Sequence, residues 1–146
     1  MLSFLRKLVS RRSRSGATPS PFDPQLFIYV KIPGDIQPLE RGARFEDPLH
    51  KLLKASGLGA ITGGGSQMDD PYPDGRARVE FCGLDVDVFD RDRARTFLRD
   101  ELFKMGAPLG TELHYTVDTR ALLDRRQSDG WRLELPREMF HPGLGV

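Results

Sequence analysis

The 146-residue chain is long enough for one domain with a real core and too short for two ordinary ones. Charged residues make up 29% and hydrophobic ones 38%, a soluble composition in which no run approaches the roughly 20 apolar residues of a membrane span. The net charge of +1 hides an asymmetry, because Arg6, Lys7, Arg11, Arg12 and Arg14 all precede the first acidic residue, Asp23; without those five cations, 17 basic residues face 21 acidic ones. A mildly acidic body argues against nucleic-acid binding, which needs a basic stripe to neutralise phosphates. The single cysteine, Cys82, excludes an internal disulfide framework and a cysteine-based metal site, and suits a cytoplasmic protein. No metal and no cofactor is expected.

Residues 1–24 read as a basic amphipathic arm and a Ser/Pro linker. Wound as a helix, Leu2, Phe4, Leu5, Leu8 and Val9 fall on one side and Ser3, Arg6, Lys7 and Ser10 on the other. Arg6-Lys7 interrupts the apolar core that a secretory signal needs. Weak contact with an anionic inner-membrane surface through Leu2, Phe4, Leu5, Arg6 and Lys7 is the alternative to a terminus without a role.

A single α+β domain is expected over residues 25–135. "QLFIYVKIP" is the first strand, with Leu26, Ile28, Val30 and Ile32 on one side and Phe27, Tyr29 and Lys31 on the other. "GDIQPLERGARFE" reads as a loop. "DPLHKLLKASG" reads as a helix with Asp47 as N-cap, Pro48 at the first helical position and Gly57 closing the end. His50 sits about one step off the apolar stripe, as a solvated side chain. "LGAITGGGSQMDD" is a strand in which the three glycines permit a bulge or close backbone approach. "RARVEFCGLDVDVF" alternates with a change of parity at Cys82-Gly83, the signature of one long bulged strand. Asp90 caps the helix "RDRARTFLRDELFKMG", and "TELHYTV" is the next strand. "DTRALLDRRQ" reads as a short helix and "WRLEL" as a further strand with Trp131, Leu133 and Leu135 on its buried side. The tail, residues 136–146, is left irregular.

This order predicts a ferredoxin-like βαββαβ sandwich, an antiparallel sheet with two helices on one face, plus a C-terminal extension. The uncovered face of such a sheet shows Phe27, Tyr29, Asp85, Asp87 and His114, and these are the candidate binding residues. "LFIYV" resembles the first aromatic motif of RNA-recognition domains, but Glu80, Asp85 and Asp87 would repel phosphates. A protein partner or a homodimer suits the mixed aromatic and acidic face.

Catalytic motifs are sparse. The triple glycine lacks the lysine and the following helix of a P-loop. Gly65-Ser66 followed by Asp85-Val86-Asp87 matches the parts of a metal-dependent nucleotidyltransferase, with Ser66, Asp85 and Asp87 as its site, but the prolines and aspartates after Ser66 oppose the helix that site requires. The leading expectation is a non-enzymatic protein-interaction or regulatory module, of which an immunity-type inhibitor of a toxin is one concrete form.

Thr62-Gly63-Gly64-Gly65, then Phe81-Cys82-Gly83-Leu84-Asp85-Val86-Asp87, then Gly106-Ala107-Pro108-Leu109-Gly110-Thr111 form a set of motifs over roughly residues 26–117. In these the chain resembles a group of small uncharacterised bacterial proteins. The resemblance implies a bacterial cytoplasmic setting and a compact α+β domain, and transfers no site residue.

Overall fold

The structure, a computed structural model, describes residues 22–138. The expected arm contacts and most of the C-terminal tail lie outside that range. A single 3-10 turn, Pro24–Leu26, capped by the Asp23 side chain, leads into strand β1, Phe27–Pro33. Strand β2 is Gly59–Asp69 and β3 is Arg78–Val88. Strands β4, Glu112–Val117, β5, Arg120–Gln127, and β6, Gly130–Pro136, complete one antiparallel sheet in the order β2-β3-β1-β4-β5-β6.

The predicted ferredoxin-like βαββαβ sandwich with two helices is therefore corrected: the molecule is built on six strands, and sheet dominates it. The largest departure is at "DTRALLDRRQ". Its run of leucine, alanine and arginine has helix propensity, but the chain reverses at Asp118, which holds a positive φ of 56°, and pairs β5 against β4. Gln25 pins that reversal, donating to the Asp118 carbonyl at 2.8 Å and accepting its N–H at 2.9 Å. Ladder pairing outweighs a local preference of a few tenths of a kcal/mol per residue, roughly the spread among ordinary helix formers.

The segment after β1 also departs from expectation. The predicted loop is helical: α1, Pro38–Arg41, runs into a π-helical turn, Gly42–Glu46, and then into α2, Asp47–Ala55. Asp47 thus has helical dihedrals and is no N-cap. Pro48 has no N–H for a bond to residue 44, and its ring would meet that carbonyl; the wider π turn ends immediately before Asp47-Pro48. Helix α3, Arg91–Lys104, begins as expected, with the Asp90 side chain accepting the Arg93 N–H at 3.2 Å.

One sheet face is covered by the helices. Ile28, Val30 and Ile32 of β1 meet Leu49 and Leu53 of α2, Leu98 and Leu102 of α3, and Leu84, Val86 and Leu113 of the neighbouring strands in one core. Each such buried aliphatic side chain contributes about 1.5–3 kcal/mol. Phe27 and Tyr29 point to the far face, where they pack with Phe22.

The glycines lie in paired backbone, Gly63 opposite Asp85, Gly64 opposite Leu84 and Gly65 opposite Gly83. The bulges fall elsewhere than at Cys82-Gly83. One leaves Thr62 unpaired in β2 and the other leaves Glu80 unpaired in β3, so the parity change comes before Phe81. Gly83 instead makes room for an aromatic ring, since Tyr29 lies across it in space that a Cβ would need.

Candidate interaction face and its charged pairs

Strand register puts all five sequence-derived candidates on the far face. Tyr29 is flanked by Asp85 on one side and His114 on the other, and Phe27 is opposite Asp87. Tyr29 and His114 have ring centroids 5.7 Å apart. Phe27, Tyr29 and Asp85 are buried, with relative exposures of 4%, 1% and 0%; Asp87 and His114 are half-buried. Burial, with the nearby Asp85 and Cys82, raises the pKa of the Tyr29 hydroxyl.

Toward the other end of β1 the face is more exposed and carries a mixed set. The Lys31 ammonium sits 4.4 Å from the Phe81 ring centroid. Glu112 accepts from Arg125 Nε at 2.8 Å through Oε2 and faces His114 Nε2 at 2.9 Å through Oε1. Burial opposes the ionised form of Glu112, but the hydrogen bonds to His114 and Arg125 outweigh it and bring its pKa down to about 2. His114 is held below the usual imidazole range, chiefly by burial, with Arg137 and Lys31 adding to the effect against the pull of Glu112. The neutral ring then donates from Nε2 to Glu112, and the buried Nδ1 has no hydrogen-bond partner among the described residues.

Sequence reasoning missed the most heavily bonded carboxylate. Asp124 of β5 projects to the helix-covered face, opposite Leu113, and is fully buried. Arg95 grips it with Nε and Nη2 at 3.1 and 3.0 Å, and Arg99 donates at 2.8 Å. The Tyr115 hydroxyl donates at 2.7 Å and the Glu134 N–H at 3.0 Å. Glu134 has a φ of 57° in the bulge where β6 sets two residues against Asp124, so the bulge aims that N–H at the carboxylate. The Arg95 guanidinium also lies 3.9 Å from the Tyr115 ring centroid. Burial works against the charge of Arg95, but Asp124, Tyr115 and Asp92 raise its pKa overall. Satisfied from three other elements, Asp124 of β5 is the centre of a staple between α3, β4, β5 and β6. The signal for it was the Arg95/Arg99 spacing of one helical turn, but its target was hidden by reading β5 as a helix.

The remaining candidates separate. Ser66 lies opposite Cys82 and accepts from Arg41 at 3.1 Å on the helix-covered side, whereas Asp85 lies beside Tyr29 on the far face, so Ser66, Asp85 and Asp87 do not converge. His50 is half-buried, and its Nδ1 accepts the Ile61 N–H at 3.1 Å, beside the bulge of edge strand β2. Burial pushes the Cys82 thiol up to about 11, so it is protonated at neutral pH. Among the described residues no three His, Cys, Asp or Glu side chains are placed to hold a metal ion. Among the same residues no helix is long and apolar enough to cross a membrane. No protein-family model, curated protein or solved structure gives a significant match to the chain.

Proposed function

We propose that this protein is a non-enzymatic interaction or regulatory module that binds a protein partner or a second copy of itself through the half-exposed end of the far face of its sheet, around Lys31, Phe81, Glu112 and Arg125, and not through the buried Phe27, Tyr29 and Asp85. An inhibitor of immunity type, which binds and blocks a toxin, is one concrete form. The observation that carries the reading is the way the far face uses its ionisable groups. Glu112 is committed to His114 and Arg125, and Lys31 to the Phe81 ring, so the pairs fix geometry and leave a half-exposed aromatic and polar strip. Such a strip suits a complementary protein surface with a polar rim.

The setting proposed is the cytoplasm, with the arm residues Leu2, Phe4, Leu5, Arg6 and Lys7 adding weak, salt-sensitive contact with the inner-membrane surface. Vesicle sedimentation tests that part, and equal sedimentation of a chain lacking residues 1–15 would end it. The main reading is tested by the native mass of the protein drawn gently from its own cells. Wild type should run well above 16.5 kDa, and the variant Phe81→Ser, which removes the half-exposed ring of the strip and leaves the Glu112 pairs in place, should run as a monomer that still unfolds cooperatively. A monomeric wild type would overturn the proposal.

A further inference from the structure

Outside the far face, exposed apolar side chains and an arginine without a carboxylate partner among the described residues come together where α3 passes β6. The helix layer stops short of the last strand, leaving an open groove of about 320 Å³ lined by Arg99, Asp100, Phe103, Lys104 and Trp131. Phe103 is 51% exposed, and Leu133, two residues along β6 from Trp131, is 47% exposed. Both would be expected to pack if the sheet ended in a covered strand. β6 pairs only with β5 among the described residues, so its outer edge is open beside the groove.

The charges around this apolar floor are uneven. Arg99 is turned to Asp124, and Lys104 reaches Glu101 at 3.4 Å while remaining largely exposed. Arg126, the cross-strand neighbour of Trp131, stacks on Phe103 at 5.0 Å. Its guanidinium has no carboxylate partner among the described residues, and its buried Nε makes no hydrogen bond there. An arginine stacked on an aromatic ring, with its terminal nitrogens unmatched, is preorganised to take a carboxylate.

We infer that the groove between α3 and β6 is a second docking surface, for an acidic amphipathic segment of a partner protein. Apolar side chains of that segment fill the floor over Phe103 and Trp131, and a carboxylate pairs with Arg126 beside Lys104. Charge complementarity selects this occupant: a basic segment would set its cations against Arg126 and the largely exposed Lys104, with Asp100 the only acid lining the groove among the described residues. The inference adds a site to the proposed interaction module and stands on different residues from the far face.

Trp131 is the only tryptophan in the chain, so the groove carries its own reporter. The probes are two synthetic peptides with the same leucine spacing, one carrying glutamates and the other lysines. The glutamate peptide should change Trp131 emission saturably, and added salt should weaken the response. Loss of one charge pair in Arg126→Gln, and reversal at the exposed Lys104→Glu, should each weaken binding about tenfold. The lysine peptide should produce no saturable change. An equal response to both peptides, no response to either, or full binding by both variants would overturn the inference. The far-face variant Phe81→Ser should bind the glutamate peptide as wild type does, so the far-face reading and this one can fail separately. Unchanged melting of Lys104→Glu keeps the test clear of misfolding.

Discussion

Asp124 and Glu112 sit on neighbouring strands, and each carboxylate gathers arginine, yet they solve opposite problems. Asp124 is fully buried under α3 and takes five donated hydrogen bonds from Arg95, Arg99, Tyr115 and Glu134. Glu112, on the far face, has two side-chain partners, of which His114 can lose or gain a proton. Full satisfaction makes a charge structural, whereas a partly exposed pair with a histidine stays responsive to its surroundings.

The largest effect should come from dismantling the staple. Asp124→Ala leaves two arginines facing a low-dielectric interior, and should cost about 3–5 kcal/mol in denaturant unfolding. A loss as small as that of a surface substitution would refute the structural role. Gly83→Ala comes next, because a Cβ there enters the space of the Tyr29 ring. It should cost about 1–3 kcal/mol, and a double-mutant cycle with Tyr29→Leu should recover most of it. Additive costs would show that the ring is not the obstacle.

These two sites also mark what was legible in the sequence. The first strand, the glycine strand, the Asp90-capped helix and the grouping of Phe27, Tyr29, Asp85, Asp87 and His114 on one face could be read, because alternation and caps are local signals. The Asp124 staple could not, since its members come from elements that meet only when β5 pairs with β4. Reading that segment as a helix removed the partner of Arg95 and also the partner of Glu112. Burial of Asp85 was equally illegible, because alternation gives the face of a residue and says nothing of what lies above it.

Smaller effects are expected at the helix end and on the far face. Asp90→Ala removes the cap on the Arg93 N–H and should cost about 1 kcal/mol, measured by thermal unfolding. The pH dependence belongs to the far face. His114 has a lower pKa folded than its ordinary 6.5, so the unfolded chain takes up protons first as the pH falls. Stability from this group is complete above 6.5 and is lost progressively below it. Glu112 adds a separate loss as the pH drops from its ordinary 4.5 toward about 2. His114→Gln, which keeps a donor for Glu112, should flatten the melting temperature in the interval just below pH 6.5 and leave the acid limb in place. An unchanged slope in that interval would assign the titration to another group.

Whether the far face is where this protein is bound can be decided by photo-cross-linking in living cells from two positions. A cross-linker at Phe81 on the far face should give one discrete heavier adduct, and the same reagent at the exposed Lys54 of α2 should give none. Adducts from Lys54 alone, or from neither position, would show that the far face is not the binding surface.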